Sequence, residues 1–198
     1  MVPPFISMIR RSMCWPLAPA RPRPDGCGSI FAMSGIGAAL HPPAAWYRFT
    51  EDRKGKWPRE RLKGFEGCMH ADGYAGFEEL YRCGRIKEVA CLAHVRRKFF
   101  DIHLAQGSAI AKEALEHIAE LYQIEDTIRG KPPHERHQIR QESAAPRLDS
   151  LEHWLQTQLT RISGKSALAD AIRYGLSRLQ RLRPHLYDGR LAIDNNAA

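Results

Sequence analysis

From residue 108 to residue 184 apolar side chains return every three or four positions, and this spacing commits the second half of the chain to amphipathic helices. Ala111, Leu115, Ile118 and Tyr122 share one helical face between Ser108 and Arg129. Leu148, Leu151, Leu155, Leu159 and Ile162 mark a second helix, and Leu168, Ile172, Leu176 and Leu179 a third. The punctuation agrees with the spacing. Ser108 and Ser166 stand where a hydroxyl caps a helix start, Gly130 where a helix stops, and Pro132-Pro133 and Pro184 where one cannot continue. The polar stretch from Lys131 to Pro146 reads as loop or loose helix.

The first part of the chain is organised differently. Residues 1–43 hold eight of the thirteen prolines and a glycine-rich stretch from Gly26 to Gly37 without strand or helix period. That segment is expected to be irregular. Order is expected from Trp46 onward. Trp46 to Thr50 is aromatic and β-branched, a strand pattern. A basic loop from Asp52 to Lys56 follows it. Gly67 to Ala71 reads as a short strand ending at Asp72-Gly73, Tyr74 to Tyr81 as a short helix stopped by Gly84, and Ile86 to Leu92 as another strand. A strand–helix–strand run around Asp72 points to an α/β sheet with parallel strands. Ala93 to Leu104 is a basic helix.

The formal net charge is +8, which suits an anionic partner such as nucleic acid. The five cysteines, Cys14, Cys27, Cys68, Cys83 and Cys91, are odd in number and scattered, so no disulfide framework is implied. Free thiols accord with a reducing cytoplasm, where the chain is expected to work. No apolar run reaches the length of a membrane span, and no membrane partner is expected.

Four stretches carry candidate chemistry. Asp72, at a strand end, can hold a divalent cation beside a phosphate, although Asp-Gly is also a common turn. Cys91 and His94 form a Cys-x-x-His pair that could join Cys68 and His70 around zinc; a cysteine on a strand also serves as plain core. Arg96, Arg97 and Lys98 put three cations into one helical turn, suited to phosphates or to a solvated face. Asp188-Gly189-Arg190 and Ile193-Asp194-Asn195-Asn196 make the fourth stretch.

These stretches, in this order, resemble the insertion-sequence-66 transposases. The resemblance rests on Tyr47-Arg48-Phe49 with Asp52-Arg53-Lys54-Gly55, on Ala71 through Phe77, on Cys91 through Phe100, and on Asp188 through Ala198, and it runs from about Pro42 onward. It implies a ribonuclease-H-like sheet, here partial, with a mainly α-helical insertion. Residues 44–107 would form the partial core, 108–186 the insertion, and 187–198 the start of the last catalytic segment. It further implies three acids holding two Mg2+ or Mn2+ ions for phosphoryl transfer. Asp72 matches the second of these acids, as catalytic and metal-binding residue. Cys91, His94, Asn195 and Asn196 would support the site. Arg96, Arg97, Lys98, Arg53, Lys54 and Lys56 would contact DNA, meaning transposon ends and target, and an intact transposase is a further expected partner.

Two departures shape the functional expectation. The resemblance puts the last glutamate directly after Asn195-Asn196-Ala197-Ala198, past residue 198. The first aspartate belongs to a strand before Trp46, and nothing in residues 1–43 reads as that strand. Shifting the frame explains the second departure. Joining the last base of each codon to the first two of the next over residues 24–37 permits Gly-Arg-Leu-Trp-Val-Tyr-Leu-Arg-Asp-Glu-Arg-His-Trp, with the aspartate emerging across Ala32 and Met33. The hypothesis is a frameshift near Pro42, with residues 1 to about 40 read out of frame, as in a pseudogene fragment. The nucleotide sequence decides it: codons that cannot yield aspartate across Ala32 and Met33 end the idea. The expectation is a transposase-derived fragment, marginally stable or aggregation-prone, and inactive alone. Its rivals are a DNA-binding remnant that interferes with intact transposase, and a small zinc-binding structural protein.

Overall fold

A central strand of five residues, Phe5–Ile9 (β1), organises the sheet of the computed structural model, which describes the backbone of residues 5–9, 27–33 and 44–50 and the whole of residues 54–195. β1 runs antiparallel to Cys27–Met33 (β2), with Ser7 opposite Ala32. β2 pairs antiparallel with Ala44–Thr50 (β3) over seven positions, from Cys27 opposite Thr50 to Met33 opposite Ala44. On its other side β1 lies parallel to Gly67–Ala71 (β4), with Phe5 beside Cys68. Ile86–Ala90 (β5) completes the order β3-β2-β1-β4-β5. The fold class is α/β, as the sequence suggests.

The strands at Phe5–Ile9 and Cys27–Met33 correct the expectation that residues 1–43 are irregular. Phe5, Ile6 and Ile9, like Ile30 and Phe31, are residues that favour extended backbone. A sheet takes any chain whose amides meet its ladder, so prolines between strands do not prevent pairing.

The chain divides into two units, Met1–Glu88 and Val89–Ala198. In the first, alternation along β4 sends Met69 and Ala71 into a small core with Leu62, Phe77, Leu80 and Ile86. Cys68 and His70 take the opposite parity, and His70 is fully buried. The expected helix over Tyr74 to Tyr81 is a 3-10 turn at Ala75–Phe77 followed by Glu78–Arg82 (α2). Gly84, at φ 72°, ends it as expected. Lys56, expected in a loop, opens a further helix, Lys56–Arg61 (α1). Arg59 of α1 pairs with Glu79 of α2. The two motif glycines of this unit meet. A Cβ on Gly55 would stand 3.2 Å from the Gly76 Cα and closer to its carbonyl oxygen, so the 54–56 bend can approach the Ala75–Phe77 turn only without a side chain.

The second unit is helical: Leu92–Gln106 (α3), Ala109–Thr127 (α4), Pro133–Ile139 (α5), Ala145–Arg161 (α6), Ala167–Leu182 (α7) and Pro184–Tyr187 (α8). Both expected caps form. Ser108 Oγ accepts the Ala111 N–H at 3.2 Å, and Ser166 Oγ accepts the Ala169 N–H at 3.1 Å. The core draws Val95 and Phe99 from α3, Ile118 and Leu121 from α4, Leu148, Leu151 and Leu155 from α6, and Ile172 and Leu179 from α7. Burying each such side chain contributes about 1.5–3 kcal/mol.

The stretch from Lys131 to Pro146, left open between loop and loose helix, is helical through most of its length. α5 passes into a π-helical turn, Arg140–Ala144, and from there into α6. Pro146 has no N–H, and its ring would crowd the Glu142 carbonyl in a regular α-helix. Widening the turn relieves that crowding, and the Ala145 N–H donates to the Arg140 carbonyl instead. Among the described residues no helix is long and apolar enough to cross a membrane.

Candidate functional site

Asp72 ends β4 in the first unit, where the sequence puts it, and is half-buried. Its Oδ1 accepts the Tyr74 N–H at 3.2 Å while Gly73 turns at φ 80°, so the Asp-Gly turn is real. Tyr74 meets Phe77 edge to face at 5.3 Å between ring centroids, which fixes the backbone on which the carboxylate sits. Turn and metal ligand are compatible roles for one carboxylate.

Cys91, His94 and Asn195, which the family resemblance expects to support a site, lie at the start of α3. Cys91 is extended (φ −106°, ψ 118°) and carries the chain from β5 into α3. Ile193 returns to this point, and its carbonyl accepts the Leu92 N–H at 3.1 Å. Burial pushes the Cys91 thiol up, while the backbone amides of Asn195 and His94 pull it down. Asn195 is itself buried. Tyr122, on α4, donates its hydroxyl to Asp194 Oδ2 at 2.9 Å. Burial first, then the Asp194 carboxylate, raise the tyrosine's pKa. Cys91, His94 and Asn195 thus lie close together at the start of α3. Tyr122 and Asp194 join them, unmarked as partners in the sequence because Tyr122 sits on an apolar stripe that reads as core.

Cys68 and His70 belong to the first unit and Cys91 and His94 to the second. Among the described residues no three His, Cys, Asp or Glu side chains converge so as to hold a metal ion.

The cations of α3 are presented to solvent. Arg96, Arg97 and Lys98 are exposed, and none makes an ion pair among the described residues. The Arg96 guanidinium lies 5.9 Å from the Phe100 ring centroid, and Lys98 Nζ lies 5.7 Å from that of Tyr174 on α7, a ring the Arg178 guanidinium also approaches at 5.7 Å. In the first unit Lys54 is exposed and Lys56 Nζ stacks 4.3 Å over Trp57. Arg53 and Asn196 lie outside the described residues.

A buried polar network in the second unit escapes sequence reading entirely. Arg140 is fully buried. Its Nε and Nη2 donate to the two carboxylate oxygens of Glu125 at 2.7 and 2.6 Å, and its Nη1 donates to the His185 carbonyl at 2.9 Å. Arg136 adds a bond to the Leu191 carbonyl at 3.2 Å, and Gln141 one to the Leu186 carbonyl at 2.8 Å. Burial, with the Arg140 and Arg136 cations nearby, pushes His185 down to about 3, so its ring is neutral. These bonds tie the α5 region to the loop that leads toward Asp194.

The chain is thus an α/β protein whose helical unit exposes three consecutive cations. Comparison with known proteins makes this specific: the model of the IS66 family of transposases matches residues 30–198, and the chain belongs to that family. The match begins upstream of Pro42, so it reaches into the stretch that the frameshift reading assigns to another frame. Three uncharacterized proteins of Sinorhizobium fredii are similar. The chain is 36% identical to y4qI over 162 residues, 37% to y4jD over 161 and 35% to y4hP over 173, each match covering 78–79% of this chain. The chain spans about a third of the length of these relatives, 30–32%. No solved structure matches it.

Proposed function

We propose that the chain serves DNA transposition as the central part of a transposase catalytic domain. It would grip phosphates with Arg96, Arg97 and Lys98, and contribute Asp72 to a two-metal centre of the ribonuclease-H-like kind. The observation that carries this is the family match over residues 30–198. Two structural features support it. A mixed sheet with its first strand at the centre, antiparallel to β2 and parallel to β4, is what a ribonuclease-H-like core requires. The three cations lie in the second turn of α3, exposed and close enough together to meet neighbouring phosphates.

Of the three acids that the family resemblance implies, Asp72 is the one this sequence matches. Divalent ions would supply charge stabilisation for in-line attack at phosphorus, and Asp72, at a strand end and half-buried, suits that role. One carboxylate does not fix two ions. The chain by itself is therefore proposed to bind DNA without cutting or joining it, and such binding would also let it compete with an intact transposase for transposon ends.

Titrating the purified chain against duplex DNA at several salt concentrations tests the proposal. Binding should weaken steeply with salt. Changing Arg96, Arg97 and Lys98 together to alanine should lower the slope of log affinity against log salt by roughly three. Absent binding at low salt, or an unchanged slope, would sink the phosphate role. Mg2+-dependent cleavage of transposon-end DNA by the purified chain would overturn its incompleteness.

A further inference from the structure

Residues 191–195 have no regular structure, yet they are held along their length. Arg136 Nη2 donates to the Leu191 carbonyl at 3.2 Å. The Ile193 carbonyl accepts from Leu92 at 3.1 Å. The Asn195 backbone amide points at the Cys91 sulfur, and Cys91 is only 2% exposed. Between these points Tyr122 Oη donates to Asp194 Oδ2 at 2.9 Å. The donor is a phenol carried on α4, on the same face that packs Ile118 and Leu121 into the core. The acceptor is a half-buried carboxylate, so the bond is charge-assisted and among the stronger kinds.

We propose that Tyr122 is a positioning residue: through Asp194 it lets α4 hold the backbone of residues 193–195 over the Cys91 thiol. The helical unit would then do more than fill space. It would fix the approach to the last acidic position that the family resemblance puts after Asn195 and Asn196. The catalytic meaning rests on the function proposed above; the hold itself does not.

Alkylation of Cys91 reports the hold, because the thiol is 2% exposed and the Asn195 amide bonds to it, so lifting residues 193–195 should uncover it. Iodoacetamide labelling of the purified chain, read peptide by peptide by mass spectrometry, separates Cys91 from the other cysteines. Deuterium uptake is followed in parallel. Tyr122→Phe should speed Cys91 alkylation on the order of ten- to a hundred-fold, the effect of losing a hydrogen bond to a charged group. Uptake should rise at residues 191–195 and stay unchanged in α6 and α7. Asp194→Ala should act like Tyr122→Phe, and the double variant should be no faster than either. Asp194→Asn retains an oxygen acceptor and should keep most of the protection. Wild-type alkylation in Tyr122→Phe, uptake rising throughout α6 and α7, or independent effects in the double variant would each overturn the proposal. No DNA enters these measurements, so a failure of the DNA-binding reading and a failure of this one remain distinguishable.

Discussion

Gly189→Ala is expected to destabilise the helical unit by about 3 kcal/mol or more, because the new methyl meets backbone that cannot step aside. A Cβ at this position would lie 2.6 Å from the Pro133 carbonyl carbon and closer still to its oxygen. Pro133 opens α5, and its ring fixes the backbone there. The loop is equally constrained, since Asp188 Oδ1 accepts the Arg190 N–H at 3.0 Å and the Leu191 N–H donates to the Asp188 carbonyl at 3.0 Å. The glycine of Asp188-Gly189-Arg190 is thus required for close approach. Its φ is not among the left-handed values found at Gly73, Gly84 or Gly107. Denaturant unfolding followed by far-ultraviolet circular dichroism measures the loss. A midpoint within experimental error of wild type would mean that the loop does not press on α5.

Arg140→Met should cost about 3–5 kcal/mol, the range for removing one partner of a buried ion pair. Methionine fills much of the space, so the loss is mainly electrostatic. Glu125, whose side chain is 11% exposed, would keep its charge with only Arg136 beside it at 3.6 Å. The His185 carbonyl would lose the Arg140 Nη1 donor, and the Asp188 carbonyl would be left with the Leu191 N–H. Arg140→Lys should fall between wild type and methionine, since an ammonium retains the charge but not the paired geometry of the guanidinium. The same unfolding experiment reads both variants. A methionine variant within about 1 kcal/mol of wild type would show the network to be dispensable.

How much of this was legible in the sequence depends on range. The helices of the second unit were, because their signals are local: Ser108 and Ser166 cap within three residues, Gly130 stops a helix, and apolar spacing marks the buried face. Asp72 at the end of a strand was legible for the same reason, from the short alternating run before Asp-Gly. The π-helical turn was not, since Pro146 reads as a breaker and only the surrounding packing shows that a widened turn carries the helix past it. Strands β1 and β2 were missed because their neighbours are prolines and glycines, while pairing is decided by partners far along the chain. The buried network was hidden most completely. Glu125, Arg136, Arg140 and His185 look like a solvated face residue by residue, and their burial follows from bonds spanning 15 to 55 positions. In the site, the grouping of Cys91 with His94 was visible as a motif, whereas the link from Tyr122 to Asp194 crosses 72 positions.

The widened turn at Arg140–Ala144 sets the angular phase between two stretches of one helical rod. A single extra residue in a helix rotates everything after it by about 100°. Here that offset lets Arg140 face inward toward Glu125 while Leu148, Leu151 and Leu155 also face the core. Winding the same residues as regular α-helix, with none removed, would swing either the arginine or the leucine row out toward water. This short stretch therefore acts as a gear setting: its extra residue is taken up in the wide turn, and the two helical stretches keep their common inward face.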